Sequence, residues 1–141
     1  MRFVSGLLLL AGLSISLQAY AYFSSSTGHW LCQSYDAKGH LWYEKNTFRH
    51  RARKIARELC LKQSSMPATC TSLHQMECDH SAHESLIYWH CEAVDSADQR
   101  WVRVGIESKM QVLTEALIAC QRYSEVAKSC QALPRRCLQV Q

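Results

Sequence analysis

The chain predicts an α+β fold: two tandem ββαβ repeats, each a small antiparallel sheet with one helix, stapled by disulfides. Two observations carry that prediction. The cysteines recur in order, Cys32, Cys60, Cys70 and Cys78 followed by Cys91, Cys120, Cys130 and Cys137, and the tryptophans recur with them. A shift of 59 lays Trp30, Cys32, Asp36 and Trp42 on Trp89, Cys91, Asp95 and Trp101, and a shift of 60 lays Ala52, Ala56, Cys60, Ser64 and Cys70 on Val112, Ala116, Cys120, Ser124 and Cys130. Matches of this kind, in order and with a drift that one inserted residue between Trp101 and Val112 accounts for, point to internal duplication.

Each repeat reads strand, turn, strand, helix, loop, strand. Residues 30–35 and 40–45 form the first hairpin across Asp36-Ala37-Lys38-Gly39. Asp accepts hydrogen bonds from a turn backbone and Gly tolerates positive φ at its close. In the second copy Asp95-Ser96-Ala97-Asp98 does the same, with Asp98 in the glycine position. Hairpin pairing gathers Trp30, Cys32, Ser34 and Trp42 on one face, and Trp89, Cys91, Ala93 and Trp101 on its counterpart. A tryptophan pair around a cystine reads as the core of a small domain.

The first helix is expected over 47–62 with Thr47 as N-cap, because Phe48, Ala52, Ile55, Ala56, Leu59 and Cys60 make an apolar stripe at helical spacing. The second is expected over 108–123. Arg49, Arg53 and Arg57 form a cationic stripe on the first helix, with Arg51 and Lys54 nearby; Leu113 and Leu117 stand at the positions of Arg53 and Arg57 in the second. Their expected cover is repeat one or a second chain, the latter making a homodimer.

Domain organisation follows. Residues 1–21 read as a signal peptide: Arg2, an apolar run over 3–17, then the small-x-small pattern Ala19-Tyr20-Ala21, with cleavage after Ala21. The run is short for a transmembrane span, and no second run of spanning length follows, so no transmembrane segment is expected in the mature chain. Repeat 1 occupies 22–80, a polar linker 81–86, and repeat 2 87–141. The linker is brief enough that the repeats should pack as one body, an edge-to-edge join of their sheets being one arrangement.

In an exported chain, eight cysteines mean disulfides. No C-x-x-C pair occurs to mark a structural zinc corner. Within each repeat, Cys60 with Cys70 ties a helix end to its following loop, and Cys32 with Cys78 joins first and last strands, as Cys91 with Cys137 does in the second. The rival pairing is Cys32 with Cys60 and Cys70 with Cys78. Each bridge would contribute about 2–4 kcal/mol by restricting the unfolded chain.

Chemistry is sparsely marked. His80 and His83, beside Asp79 and Glu84, are the weak metal candidates, short of the H-E-x-x-H peptidase pattern; no cofactor is expected. There is no G-x-S-x-G elbow and no glycine-rich phosphate loop, with five glycines in all. Asp36 and Asp95 are accounted for by their turns, and no catalytic residue is assigned. The cationic stripe of Arg49, Arg53, Arg57 and Lys54 is the candidate binding surface, in a chain of net charge +4, for an anionic surface, a polyanionic glycan or a protein partner. Nucleic acid is not expected, since no aromatic interleaves the stripe to stack on bases.

In its order of W-x-C, tight turn, Trp, Ala-bearing helix ending in Cys, then further Cys, the chain resembles small Cys-rich secreted bacterial domains of unknown function, here in two tandem copies. The resemblance implies a periplasmic or secreted bacterial protein. The function expected is an exported, non-enzymatic binding module, one specific form being an inhibitor of an exported hydrolase; the alternative is a small secreted enzyme.

Overall fold

The computed structural model describes residues 28–82 and 86–141. The signal-peptide reading and its cleavage point at Ala21, together with His83 and Glu84 in the linker, lie outside the described residues. The first ββαβ unit runs β1 (His29–Tyr35), β2 (Leu41–Asn46), α1 (Arg49–Gln63), a 3-10 turn (Pro67–Thr69) and β3 (Cys78–Ser81). The second runs β4 (Tyr88–Val94), β5 (Arg100–Gly105), α2 (Lys109–Tyr123), a 3-10 turn (Ala127–Ser129), β6 (Gln131–Ala132), a 3-10 turn (Pro134–Arg136) and β7 (Leu138–Val140). The last strand of the second unit is thus split around Pro134, which has no N–H to offer a ladder.

Both hairpins turn as their chemistry dictates. Gly39 has φ 72° and Asp98, at the matching position, φ 59°. Asp36 Oδ1 accepts from the N–H groups of Lys38 and His40 at 2.9 and 3.1 Å. Asp95 Oδ1 accepts from Ala97 and Gln99 at 2.9 and 3.0 Å. The other carboxylate oxygen ties each turn to its helix end: Ser64 Oγ donates to Asp36 at 2.7 Å, and Ser124 Oγ to Asp95 at 2.5 Å. Ser64 and Ser124 are the C-cap residues of α1 and α2.

The helices start differently. Ser108 caps α2, its side chain accepting from Gln111 N–H. The expected cap Thr47 is not used: α1 begins at Arg49, and Phe48 occupies the cap position with no side-chain hydrogen bond. Asn46 Oδ1 instead accepts from Phe48 N–H at 3.0 Å. Asn46 thus satisfies the N–H of the cap residue itself, while the first-turn N–H groups that Thr47 was expected to serve receive no side-chain bond from the cap position.

All eight cysteines are bridged, Cys32–Cys78, Cys60–Cys70, Cys91–Cys137 and Cys120–Cys130, so the strand-to-strand and helix-to-loop pairing holds in both units. In each sheet the first strand is central: β2-β1-β3 in one, and β5-β4 with β6 and β7 in the other. Cys32 opposes Cys78 across the β1/β3 ladder.

The two sheets are separate and meet face to face, in place of the edge-to-edge join. Alternation along the strands explains why. Cys32 of β1 faces α1, in a core with Ala52, Ala56 and Met76; Ala93 and Trp101 of β4 and β5 face α2, with Ala116, Ala119 and Cys120. The opposite faces meet in a core of Leu31, Leu86, Tyr88 and Val104, with Leu41, Tyr43, Val102 and Val140 packed against it. The layers are helix, sheet, sheet, helix. Leu86 fills this middle layer at 1% exposure, so the linker is part of the core at its C-terminal end.

Candidate functional site

The four cationic candidates do not share one surface. Arg49, in the first turn of α1, is exposed and lays its guanidinium 5.0 Å over the Trp30 ring. Arg53 is half-buried and donates from Nη2 to the Met76 carbonyl at 2.9 Å, tying the helix to the loop that precedes β3. Lys54 points outward, 4.0 Å from Glu58. Arg57 is half-buried, and the Nε atoms of both Arg53 and Arg57 are enclosed with no hydrogen-bond partner among the described residues.

Between α1 and the loop preceding β3 lies a groove of about 420 Å³ lined by Arg49, His50, Arg53, Leu73 and His74. The loop is shaped by its own turn, Gln75 N–H donating to the Ser72 carbonyl at 3.1 Å and Ser72 Oγ to Gln75 Oε1 at 3.0 Å. Thr71 N–H, donating to the Tyr35 carbonyl at 2.8 Å, anchors its start on β1. Two arginines and two histidines therefore face one cavity with no carboxylate in its lining. Such a concavity focuses positive potential and suits an anionic group. Leu73 and His74 were not singled out from the sequence, because only the fold of the loop back onto α1 brings them there; His50 lay in plain view within the basic stretch.

At the corresponding helix position Leu113 is 5% exposed, buried with Cys91, Val112 and Cys137 of its own unit. The expected inter-repeat or inter-chain cover is thus supplied by the Cys91–Cys137 bridge, since the C-terminal segment folds over this face of α2. Leu117 is half-buried. Arg53 and Leu113 do the same positional job by different means, one by a hydrogen bond to the loop and the other by apolar packing.

His80 packs its ring 4.4 Å from that of Trp30. Among the described residues no group of three or more His, Cys, Asp or Glu side chains is placed to hold a metal ion.

Groups with displaced proton affinities collect elsewhere, at the seam between the units. Arg103 Nη1 donates to the Gly39 carbonyl at 3.0 Å and to its neighbour Val102 at 2.6 Å, and its guanidinium lies 4.8 Å from the Tyr35 ring. Tyr35 Oη donates to Gln33 Oε1 at 2.6 Å, and Gln33 Nε2 to Asp79 Oδ2 at 3.4 Å. Burial pushes the Tyr35 hydroxyl up to about 12 and outweighs the opposing pull of Arg103. Burial, reinforced by Glu107, raises the carboxyls of both Asp79 and Glu115. Trp101 Nε1 donates to the Lys38 carbonyl across the same seam at 3.1 Å. With Arg103 committed to backbone carbonyls, this cluster reads as a lock between units rather than a reaction centre.

The chain matches no protein-family model, no curated protein and no solved structure. Four disulfides fit an extracellular or periplasmic protein, and among the described residues no helix is long and apolar enough to cross a membrane.

Proposed function

We propose that this chain is an exported, duplicated binding module that holds an anionic group of its partner in the groove between α1 and the loop preceding β3. The observation that carries the reading is a concave site lined by Arg49, His50, Arg53 and His74 with no acidic side chain among its lining residues. Export rests on the signal-like residues 1–21 and the fully bridged cysteines; a bacterial periplasmic or secreted setting follows the resemblance of the chain to small Cys-rich domains. Duplication rests on the recurring Trp and Cys spacing, matched by helices of 15 residues in both units and bridges of sequence separation 46 and 10 in both. A rigid, bridged scaffold loses little freedom on binding, which favours recognition.

Retention on immobilised dextran sulfate tests the reading. The wild type should be retained and should elute earlier as salt rises, since exposed charges are screened over about 8 Å at physiological ionic strength. Arg49→Glu should lose most of that retention. Arg49 is the site of choice because Arg53 also holds the Met76 carbonyl, so its removal confounds binding with stability. Retention indifferent to salt, or equal in Arg49→Glu, would sink the proposal.

A further inference from the structure

Phe48 occupies the cap position of α1, where a short polar side chain serves a helix best. At the matching position of α2, Ser108 Oγ accepts from Gln111 N–H at 3.3 Å. Phe48 makes no such bond, and among the described residues its ring belongs to no buried core cluster. It is 50% exposed. The Arg51 guanidinium lies 5.2 Å over the ring and the His50 imidazole 5.9 Å from it. His50 also lines the groove, where Leu73 is a second exposed apolar side chain at 40%. From Phe48 to Arg57 the chain carries five cationic side chains besides His50 and no acid. A soluble polyanion would be matched by those cations alone and would give an exposed phenyl ring no environment better than water. A bilayer with anionic headgroups supplies both, since its interfacial layer takes up apolar rings while its phosphates attract the surrounding Lys and Arg.

We propose that the N-terminal tip of α1 docks on an anionic lipid bilayer, with Phe48 and Leu73 entering the interfacial layer and Arg49 and Arg51 meeting headgroup phosphates. This rests on the reading of the groove as an anion site and adds the lipid as its partner.

Co-sedimentation of the full mature chain with vesicles of mixed phosphatidylglycerol and phosphatidylcholine, against pure phosphatidylcholine, tests it alongside dextran sulfate retention. The wild type should sediment with the anionic vesicles alone. Phe48→Ser should lower vesicle partition by about tenfold or more, the scale of burying one phenyl ring, and leave dextran sulfate retention unchanged. Because serine restores a cap, the same variant should melt about 3–5 °C higher, which separates weaker docking from a damaged fold. Arg49→Glu should weaken both kinds of binding. Dextran sulfate retention without vesicle binding would overturn the lipid inference and leave the groove with a soluble polyanion. Loss of both would overturn the anion reading with it. Vesicle binding by Phe48→Ser equal to wild type, or a lower melting temperature in that variant, would remove Phe48 as the anchor and overturn the inference.

Discussion

At the scale of single residues, Asp36 and Asp95 are the joints of their units, each holding a hairpin turn with one oxygen and a helix end with the other. Desolvation pushes the Asp36 carboxyl up, but hydrogen bonds from Ser64 and His40 outweigh it and hold the group below the ordinary range. Asp95 is lowered chiefly by the Ser124 hydroxyl. Asp36→Ala should cost about 2–4 kcal/mol, since it removes four hydrogen bonds, from the N–H groups of Lys38 and His40, the His40 ring and Ser64 Oγ, to a charged, enclosed acceptor; urea unfolding midpoints check it. Asp36→Asn should cost less, because its amide oxygen still serves the turn. Gly39 is a second joint. Its φ of 72° is left-handed, and a Cβ there would meet the Tyr123 ring across the seam. Gly39→Ala is therefore expected to destabilise by more than the backbone term alone of roughly 1 kcal/mol, while Asp98→Gly, at the equivalent turn, should be neutral or stabilising.

At the scale of elements, α1 and α2 show how one scaffold position serves two chemistries. Both bury a small-residue stripe, Ala52, Ala56 and Cys60 in one and Val112, Ala116 and Cys120 in the other, which lets each helix lie close on its sheet. Beside that stripe Arg53 leaves a groove open and Leu113 closes its counterpart against Cys91 and Cys137. Leu113→Ala should cost about 2–4 kcal/mol, the scale of a buried leucine truncation, and half-buried Leu117→Ala clearly less. Neither change should alter hydrodynamic size, because the cover of Leu113 lies within its own unit. The bridges differ in reach. Cys32–Cys78 spans 46 residues and Cys60–Cys70 spans 10, so on chain-entropy grounds removing the long bridge should cost about 1 kcal/mol more than removing the short one. Melting of the paired Cys→Ala variants measures the difference.

At the scale of the whole molecule, the middle apolar layer makes the two units mutually dependent. A fragment of residues 87–141 alone would expose Tyr88, Val102 and Val104, so it should not fold, whereas the full chain should unfold in one transition. The seam also sets the response to acid. Asp79 and Glu115 bind protons more tightly in the folded chain than in the unfolded one, so stability rises as pH falls from neutral through their raised values. Asp36 and Asp95 have the opposite sign: their stabilisation is present above the ordinary carboxylate value of about 4 and is lost as pH falls through their depressed ones. Maximum stability is therefore expected on the acidic side of neutral, above about pH 4. Urea midpoints across that range measure it, and Asp79→Asn should flatten the rising limb while leaving the acid collapse in place.

Much of the architecture was legible because it is local or covalent. Turn chemistry at Asp36-Gly39 and Asp95-Asp98, the helix-period stripes, and cysteines spaced alike in two sets define two bridged ββαβ units before any long-range packing is known. The face-to-face joint was present as well, in the alternation of Leu31, Leu41 and Tyr43 against Cys32 and Trp42, but polar Gln33 on that face interrupts its apolar pattern. The cover over Leu113 and the groove at Arg49 were not legible. Both depend on where the loop after each helix returns, and one segment pairs with β4 while the other turns at Ser72 and presents Leu73 and His74. Sequence alone determined which residues are cationic and which cysteines recur. Only the tertiary structure decided which of those cations share a cavity, because a groove is made by two segments distant in the chain, and spacing along one helix carries no information about the second.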